Sequence, residues 1–197
     1  TISHFKVQKN NGSAFGINVG ATGIVRNIAF DDVEMGQQQC GIVAFGCKGT
    51  VENITVNNCL ISKADNANAG RFDARGTIAG KPEGGKFRNI FIYNVYYKEG
   101  LTWGQYTGGI VGYGKGTYSD IYVIGTTKLC KDATAENPRA TDGIDTVKGF
   151  ENVADYNAAD IDFSNWNKDL WEIKDEIMGE GKTAVTLKKP VLKVIEL

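Results

Sequence analysis

Acidic side chains are the first candidates for chemistry in this sequence. Asp31-Asp32 follows one apolar run, and Asp120 precedes another. Two carboxylates can act as general acid and base on a glycosidic bond when they face each other across roughly 5–9.5 Å. The chain contains an internal repeat, and its aligned copies place Asn57-Asn58 and Tyr93-Asn94 where Asp31-Asp32 stands. No stacked carboxylate cluster is therefore predicted, and we name no catalytic residue.

Two glycine-rich runs that contain a lysine have a superficial likeness to phosphate-binding loops. Gly112–Gly116 includes Lys115, and Gly46–Gly49 repeats the design with Lys48. A true P-loop has the spacing GxxxxGK[ST] and opens a helix whose N-terminus binds the anion. Here the spacing differs and a strand-like run comes after each loop, so both runs are predicted to be turns.

The only histidine, His4, lies near the N-terminus. A Ser-His-Asp or Cys-His relay would depend on this residue, and such a relay needs a base that the surrounding structure holds in place. A terminal strand offers little of that support. We therefore expect His4 to be a surface or edge residue, and we expect no cofactor and no metal site.

A repeated phrase indicates the elements that hold these residues. Residues 41–61 read GIVAFGCKGTVENITVNNCLI, and residues 109–123 read GIVGYGKGTYSDIYV. Each copy opens with Gly-Ile-Val, passes through a turn ending in Gly-Thr, and closes on Asn or Asp, then Ile, a variable residue and Val. With two weaker copies, the polar anchors are Asn27, Asn53, Asn89 and Asp120. Stacked units are expected, and the Asn anchors suit turns or a ladder of side-chain hydrogen bonds.

Apolar residues alternate after each anchor, which is typical of strands with one buried face. The inward pairs are Ile28 and Phe30, Ile54 and Val56, Ile90 and Ile92, and Ile121 and Val123. One copy cannot bury its own apolar face, whereas stacked copies bury it continuously. We therefore predict an all-β fold, a right-handed parallel β-helix. A β-sandwich is the alternative, but it explains only the density of turns.

The chain resembles a known family at the copy that is richest in glycine. The stretch Gly108–Thr117 is similar to the GLUG repeat of bacterial surface proteins, which runs Gly-Gly-Leu-Val-Gly, a short turn, Gly-x-Ile and a polar strand. The segments Phe163–Trp166, Leu170–Ile173 and Lys189–Lys193 are similar to the endings that come after such repeats in Bacteroidetes-type proteins. The resemblance implies an adhesin-like, extracytoplasmic protein and carries no catalytic signature. The residue after the anchor is often Cys in the family and is Ile here.

Composition sets the broad class. The chain has 197 residues, of which 42% are hydrophobic and 23% charged, so it should fold as one domain. A net charge of −1 offers no basic surplus for nucleic acid. No apolar run approaches the ~20 residues of a membrane span. Thr1 opens directly into strand-like sequence without a signal peptide, which favours a mature or trimmed chain and leaves a longer parent chain as an open alternative.

We expect this domain to have two parts. Residues 1–153 would form the coils of the β-helix. Residues 154–197, with Trp166 and Trp171, would form a C-terminal cap, because the open end of such a helix exposes strand edges and an apolar cross-section. The polar stretches at 63–75 and 131–146 are predicted loops.

Four cysteines allow three disulfide pairings, and none belongs to a metal-type CxxC motif. They are Cys40, Cys47, Cys59 and Cys130. Cys59 takes the template position of Val33 and Val95, so we expect it to be a small core residue. For the same reason we favour the absence of a disulfide.

Aromatic residues collect on the predicted outward face. The outward column runs Ala29, Thr55, Phe91, Tyr122, and Tyr93 shares its face. Flat aromatic rings stack on sugars, and exposed apolar clusters often mark recognition surfaces. We name Phe91, Tyr93 and Tyr122 as candidate ligand-binding residues. The alternative is that the Trp-bearing tail or a neighbouring loop covers them.

The sequence thus predicts a non-catalytic β-helical module of a bacterial surface or secreted protein, with a glycan or protein ligand. The alternative is a carbohydrate-active β-helix enzyme of polysaccharide lyase or glycoside hydrolase type, which two or three carboxylates in one open groove would favour. A fragment accessory to a peptidase is a third hypothesis, and it depends on the resemblance alone.

Overall fold

Strands make up most of the chain that the computed structural model describes, which is residues 2–8, 14–36, 39–61, 75–97, 110–112, 114–125, 147–178, 181 and 184–193. The strands of a large sheet are β1 (Ile2–Gln8), β3 (Ile24–Gly36), β5 (Thr50–Asn57), β6 (Leu60–Ile61), β9 (Lys86–Tyr93), β10 (Tyr96–Tyr97), β11 (Thr117–Ile124) and β12 (Val147–Phe150). A second sheet holds β2 (Ala14–Val19), β4 (Gln39–Cys47), β7 (Arg75–Gly76) and β8 (Ala79–Lys81). After them come helix α1 (Val153–Ala158) and a hairpin of β13 (Trp171–Met178) and β14 (Val185–Leu192). The prediction of an all-β protein is confirmed.

No helix within these residues is long and apolar enough to cross a membrane.

The large sheet is parallel across its central strands, which run in the order β3, β5, β9, β11 and β12. Its register matches the repeated phrase. Ile28 lies opposite Ile54, Ile54 opposite Ile90, and Ile90 opposite Ile121. The prediction that these isoleucines share one column is confirmed. Equivalent residues of successive copies therefore stand in rows, about 4.8 Å apart from strand to strand.

One apolar core lies between the two sheets. It joins the inward residues of the large sheet, such as Ile54 and Ile90, to Ile78 and Val111 of the segments that face them, and all four are fully buried. Burial of these side chains is the main term that stabilises the stack, at about 25 cal/mol for each Å² of apolar surface removed from water.

The second sheet requires glycine where its backbones come close together. Gly41 lies opposite Gly76 on the neighbouring strand. A Cβ atom at Gly41 would lie 2.1 Å from the carbonyl oxygen of Ala44 and 2.7 Å from the Cα of Ala79. No side chain fits in that space, which explains why the repeated phrase opens with glycine.

Glycine turns lead from the second sheet into the large sheet, and they stack on one another. Three backbone hydrogen bonds join successive turns: Thr50 N to Gly23 O (3.0 Å), Lys86 N to Gly49 O (2.8 Å) and Thr117 N to Gly85 O (2.9 Å). Since these N–H groups are used inside the stack and strands come next, the turn interpretation of the glycine-lysine runs is confirmed.

Four strands of the large sheet, β3, β5, β9 and β11, each bend at a polar anchor. The φ angles are 59° at Asn27, 54° at Asn53, 53° at Asn89 and 52° at Asp120. This is the left-handed region, which Asn and Asp tolerate better than other side chains. Asn58 and Asn94 make a second set of corners, with φ of 50° and 55°.

The corner amides form a ladder along the stack. Asn53 Nδ2 donates to Asn27 Oδ1 over 3.1 Å, and Asn89 Nδ2 donates to Asn53 Oδ1 over 3.0 Å. At the second set of corners, Asn94 Nδ2 donates to Asn58 Oδ1 over 2.9 Å. The predicted ladder of asparagines is confirmed, and it supports both the bend and the register.

Replacing Asn53 separates the contribution of the ladder hydrogen bonds from that of the left-handed backbone conformation. Asn53→Ala should lower the free energy of unfolding by about 3–4 kcal/mol, since it removes two ladder bonds of about 1 kcal/mol each and leaves a side chain in the left-handed region at a further cost of about 1–2 kcal/mol. Asn53→Gly, which relieves the backbone, should lose about 1 kcal/mol less. Urea unfolding of both variants checks this, and equal losses would show that the backbone angle contributes nothing.

The C-terminal segment packs on the outward face of the large sheet. Tyr156 of α1, Trp171 of β13 and Leu187 of β14 share a buried cluster with Phe91 and Tyr122 of the sheet. Within the described residues, the aromatic contacts of the tail cover this side of the sheet, and the role of residues 154–197 as a cap of the open end stays a prediction. The tail packs on this side because the aromatic column leaves an apolar surface, which the tail buries.

Candidate functional site

A cleft of about 510 Å³ opens on the outward face of the large sheet, beside the C-terminal segment, and we call it the polar cleft. Four strands of the sheet (β3, β5, β9 and β11) form one side, and the turn before β13 forms the other. Every described residue of the lining is polar, and among these residues two positive and two negative side chains balance. The lining residues are Arg26, Glu52, Asn53, Arg88, Asn89, Ser119, Asp120, Asn165 and Asn167.

The floor of the polar cleft is the row of residues that precede the anchors. Arg26 lies opposite Glu52, Glu52 opposite Arg88, and Arg88 opposite Ser119. Glu52 is held from both sides: Arg88 Nε and Nη2 lie 2.7 and 2.5 Å from its Oε2, and Arg26 Nη1 lies 3.9 Å from its Oε1. The close Arg88 pair fixes Glu52, whereas Arg26, which also lines the cleft, lies farther from Glu52 and has a side chain that is 61% exposed.

The anchor ladder ends in the polar cleft. Asn89 uses both N–H groups of its amide, one on Asn53 Oδ1 and one on the backbone oxygen of Asn165, each over 3.0 Å. The next corner is Asp120, whose carboxylate has no N–H to continue the ladder. Among the described residues, none donates a hydrogen bond to the Asp120 side chain. Acceptor oxygens therefore meet at this end of the cleft.

The C-terminal segment is tied to the same ladder. Trp171 Nε1 donates to Asn27 Oδ1 over 3.2 Å, at the opposite end from Asp120. The turn between α1 and β13 is held by its own side chains: Asp162 accepts from the N–H and the hydroxyl of Ser164 over 2.7 and 2.9 Å. These bonds lower the pKa of Asp162. The turn that carries Asn165 and Asn167 is thus ordered against the sheet.

The three aromatic residues named from the sequence lie together, but not on an open surface. Phe91 and Tyr122 are 0% and 2% exposed, and Tyr93 is partly buried beside them. Phe91 packs edge-on against Tyr156 with ring centroids 5.7 Å apart. The expectation of an exposed aromatic surface is therefore corrected: the tail covers Phe91 and Tyr122, as the sequence alternative had it. No ligand can reach their rings while the tail is in place.

Burial also sets the protonation of Tyr122. Its pKa is raised, first by burial and then by the negative charges of Asp120 and Asp162. The phenol therefore stays neutral and serves as an apolar ring under the tail. Lys148 lies over that ring, with Nζ 5.7 Å from the centroid.

The acidic pair Asp31-Asp32 is not brought into the polar cleft. Asp31 stands in a row with Asn57 and Tyr93, three residues beyond the isoleucine column. The prediction that no carboxylates stack along this row is confirmed. Among the described residues, Glu52 and Asp120 are the two carboxylates that line the polar cleft. His4 lies within β1. In the described part of the chain, no three His, Cys, Asp or Glu residues form a group that could hold a metal ion.

The described cysteines are core residues. Cys47 and Cys59 are buried free thiols, and Cys130 lies outside the described residues. Burial raises the pKa of Cys47 to about 11 and that of Cys59 to about 12. Both are therefore neutral thiols at neutral pH, which suits packing and not nucleophilic chemistry. The expectation that Cys59 belongs to the core is confirmed.

Sequence reasoning missed the row of Arg26, Glu52 and Arg88, although a signal was present. In each copy these residues stand directly before the Asn anchor, and their charges alternate in sign along the stack. Opposite charges on directly neighbouring strands stabilise a sheet. Once the anchors are aligned, the alternation could have been found. The tail residues Asn165 and Asn167 carried no such signal.

No protein-family model, no curated protein and no solved structure matches this chain. The likeness to the GLUG repeat, the surface location and the adhesin-like role therefore stay predictions.

Proposed function

We propose that this chain is a non-catalytic module of a bacterial surface or secreted protein, built as a right-handed parallel β-helix with GLUG-like coils and serving an adhesin-like, ligand-presenting role. In this view each coil contributes one strand to the second sheet and one to the large sheet. The sides of the stack, and not its interior, carry the recognition surface.

The observation that supports this proposal is the row structure of the two sheets. Successive copies place Ile beside Ile and Asn beside Asn in the large sheet, and Gly beside Gly in the second sheet. A chain segment that stacks identical positions adds length one copy at a time, and each copy contacts only its neighbours. Such a scaffold suits a spacer that presents a surface at a distance.

The ion pair of Glu52 with Arg88 also favours binding over catalysis. The carboxylate of Glu52 is engaged by Arg88, so it already has a structural partner. The alternative, a carbohydrate-active enzyme, is favoured by one observation: Glu52 and Asp120 share the polar cleft. Their strands β5 and β11 are two strand spacings apart, about 10 Å, which is close to the upper limit of roughly 9.5 Å for inverting glycosidases.

Two measurements on the whole protein test the proposal. In the source organism, an epitope placed in the chain should be labelled by antibody on intact cells or be recovered from the medium. The purified chain should release no reducing ends and no unsaturated products from neutral or acidic polysaccharides.

Labelling that requires cell lysis would contradict the surface or secreted role. Product release that is lost in both Glu52→Gln and Asp120→Asn, but kept in Asp175→Asn on the exposed hairpin, would replace the proposal with the enzyme alternative.

A further inference from the structure

We propose that the polar cleft is a binding site for a neutral carbohydrate, held by hydrogen bonds from its hydroxyl groups to Asp120 and Asn89 and from Arg26 to its oxygens. The site differs from the aromatic surface expected from the sequence. The proposal goes beyond the module role and depends on the cleft, not on where the protein resides.

The first step of the argument is the end of the amide ladder. Asn89 donates both of its side-chain N–H groups, one to Asn53 and one to Asn165. The remaining polar atom of its amide is Oδ1, which is an acceptor. An asparagine at position 120 would donate to this oxygen, as Asn89 does to Asn53. Asp120 occupies the equivalent corner and brings a second acceptor instead. Two neighbouring acceptors need a donor that the described residues do not provide.

The second step concerns what can supply that donor. A sugar hydroxyl donates one hydrogen bond and accepts others, so it satisfies an acceptor pair and still receives a bond from a guanidinium. Arg26 is placed for this, because it is mostly exposed and lies 3.9 Å from Glu52. Ser119, which also lines the cleft, can donate or accept.

The third step is the charge of the ligand. The described residues of the lining include two arginines, one glutamate and one aspartate, so their formal charges cancel. An anionic ligand would meet Asp120 and would compete with Glu52 for Arg88. A metal cation lacks a cluster of three acidic, His or Cys ligands in the described residues. A neutral polyhydroxylated ligand meets neither obstacle.

Asp120→Asn is the sharpest test, since the change removes one acceptor and lets the ladder continue. We expect the variant to melt about 2–4 °C higher than the wild type, as one added hydrogen bond implies. We also expect its affinity for the sugar to fall about tenfold or more. The probes are dextran, mannan and galactan, with polygalacturonate as an acidic comparison, in affinity electrophoresis and titration calorimetry. Wild-type protein should bind at least one neutral polymer.

The controls separate the cleft from other causes. Asp175→Asn removes the same charge on the exposed hairpin and should bind as the wild type does. Arg26→Ala, at an exposed side chain that leaves the fold intact, should also weaken binding. The proposal is overturned if no neutral polymer binds, if only polygalacturonate binds, or if Asp120→Asn binds as tightly as the wild type. Each of these results would leave the surface-module proposal standing.

Discussion

Replacing Ile90 by alanine should lower the free energy of unfolding by about 2–5 kcal/mol, the range for large-to-small changes in a core that cannot collapse. Ile90 is fully buried in the core between the sheets, and it lies between Ile54 and Ile121 in the isoleucine column. The cavity would open at the centre of the stack, where neighbouring rows on both sides hold the backbone in place. Urea unfolding monitored by circular dichroism measures the change.

Ile24→Ala is the matched control for this prediction. Ile24 is the same residue type on a strand of the same sheet, but it is 58% exposed. We expect its replacement to change the free energy of unfolding by no more than about 0.5 kcal/mol. Equal losses at the two positions would mean that Ile90 is not inside the core.

Replacing Trp171 by alanine should destabilise the protein by about 3–5 kcal/mol. The side chain is 2% exposed, packs edge-on against Trp166 at 4.8 Å between ring centroids, and donates to Asn27. Its loss would loosen the tail and uncover Phe91 and Tyr122. Urea unfolding gives the magnitude, and binding of a hydrophobic dye reports the uncovered rings.

Two variants make the Trp171 result interpretable. Trp171→Phe keeps a ring but loses the N–H, so it should lose the hydrogen-bond share of about 1 kcal/mol, together with a smaller packing term. Ile177→Ala, at a 75% exposed position on the same strand, should be nearly neutral. A Trp171→Ala protein as stable as the wild type would contradict the view that the tail stabilises the sheet.

The register of the large sheet could be predicted because two independent signals agree at each copy. The alternation of Ile54 and Val56 assigns the inward face, and the Asn anchor marks a corner that only a few residue types tolerate. A slip by one residue would turn the isoleucines outward and move the anchor off the corner. For this reason a short repeated phrase was enough to align Ile28 with Ile121 across four strands.

The burial of the aromatic column could not be predicted in the same way. Phe91 and Tyr122 have the same sequence pattern whether they face a ligand or a covering segment. The path of the tail decides between these, and it depends on long-range contacts such as that of Phe91 with Tyr156. The resemblance to family endings drew attention to Trp171 but did not say which side of the stack it covers.

Part of the polar cleft could be predicted from the sequence. Arg26, Glu52 and Arg88 could be aligned from their anchors, and the change from Asn to Asp at position 120 was visible. The role of this change could be recognised only from the direction of the ladder, in which each amide donates a hydrogen bond to the amide of the preceding copy. Only with that direction known does Asp120 become the residue that stops the ladder and leaves acceptors unpaired.

The central claim is that successive copies stack in register around one core. Methyl–methyl nuclear Overhauser effects in protein labelled at isoleucine test it most directly. We predict contacts between Ile28 and Ile54, between Ile54 and Ile90, and between Ile90 and Ile121, because neighbouring strands lie about 4.8 Å apart. We predict none between Ile28 and Ile121. Missing contacts between neighbours in this series, or a contact between its two ends, would contradict the account.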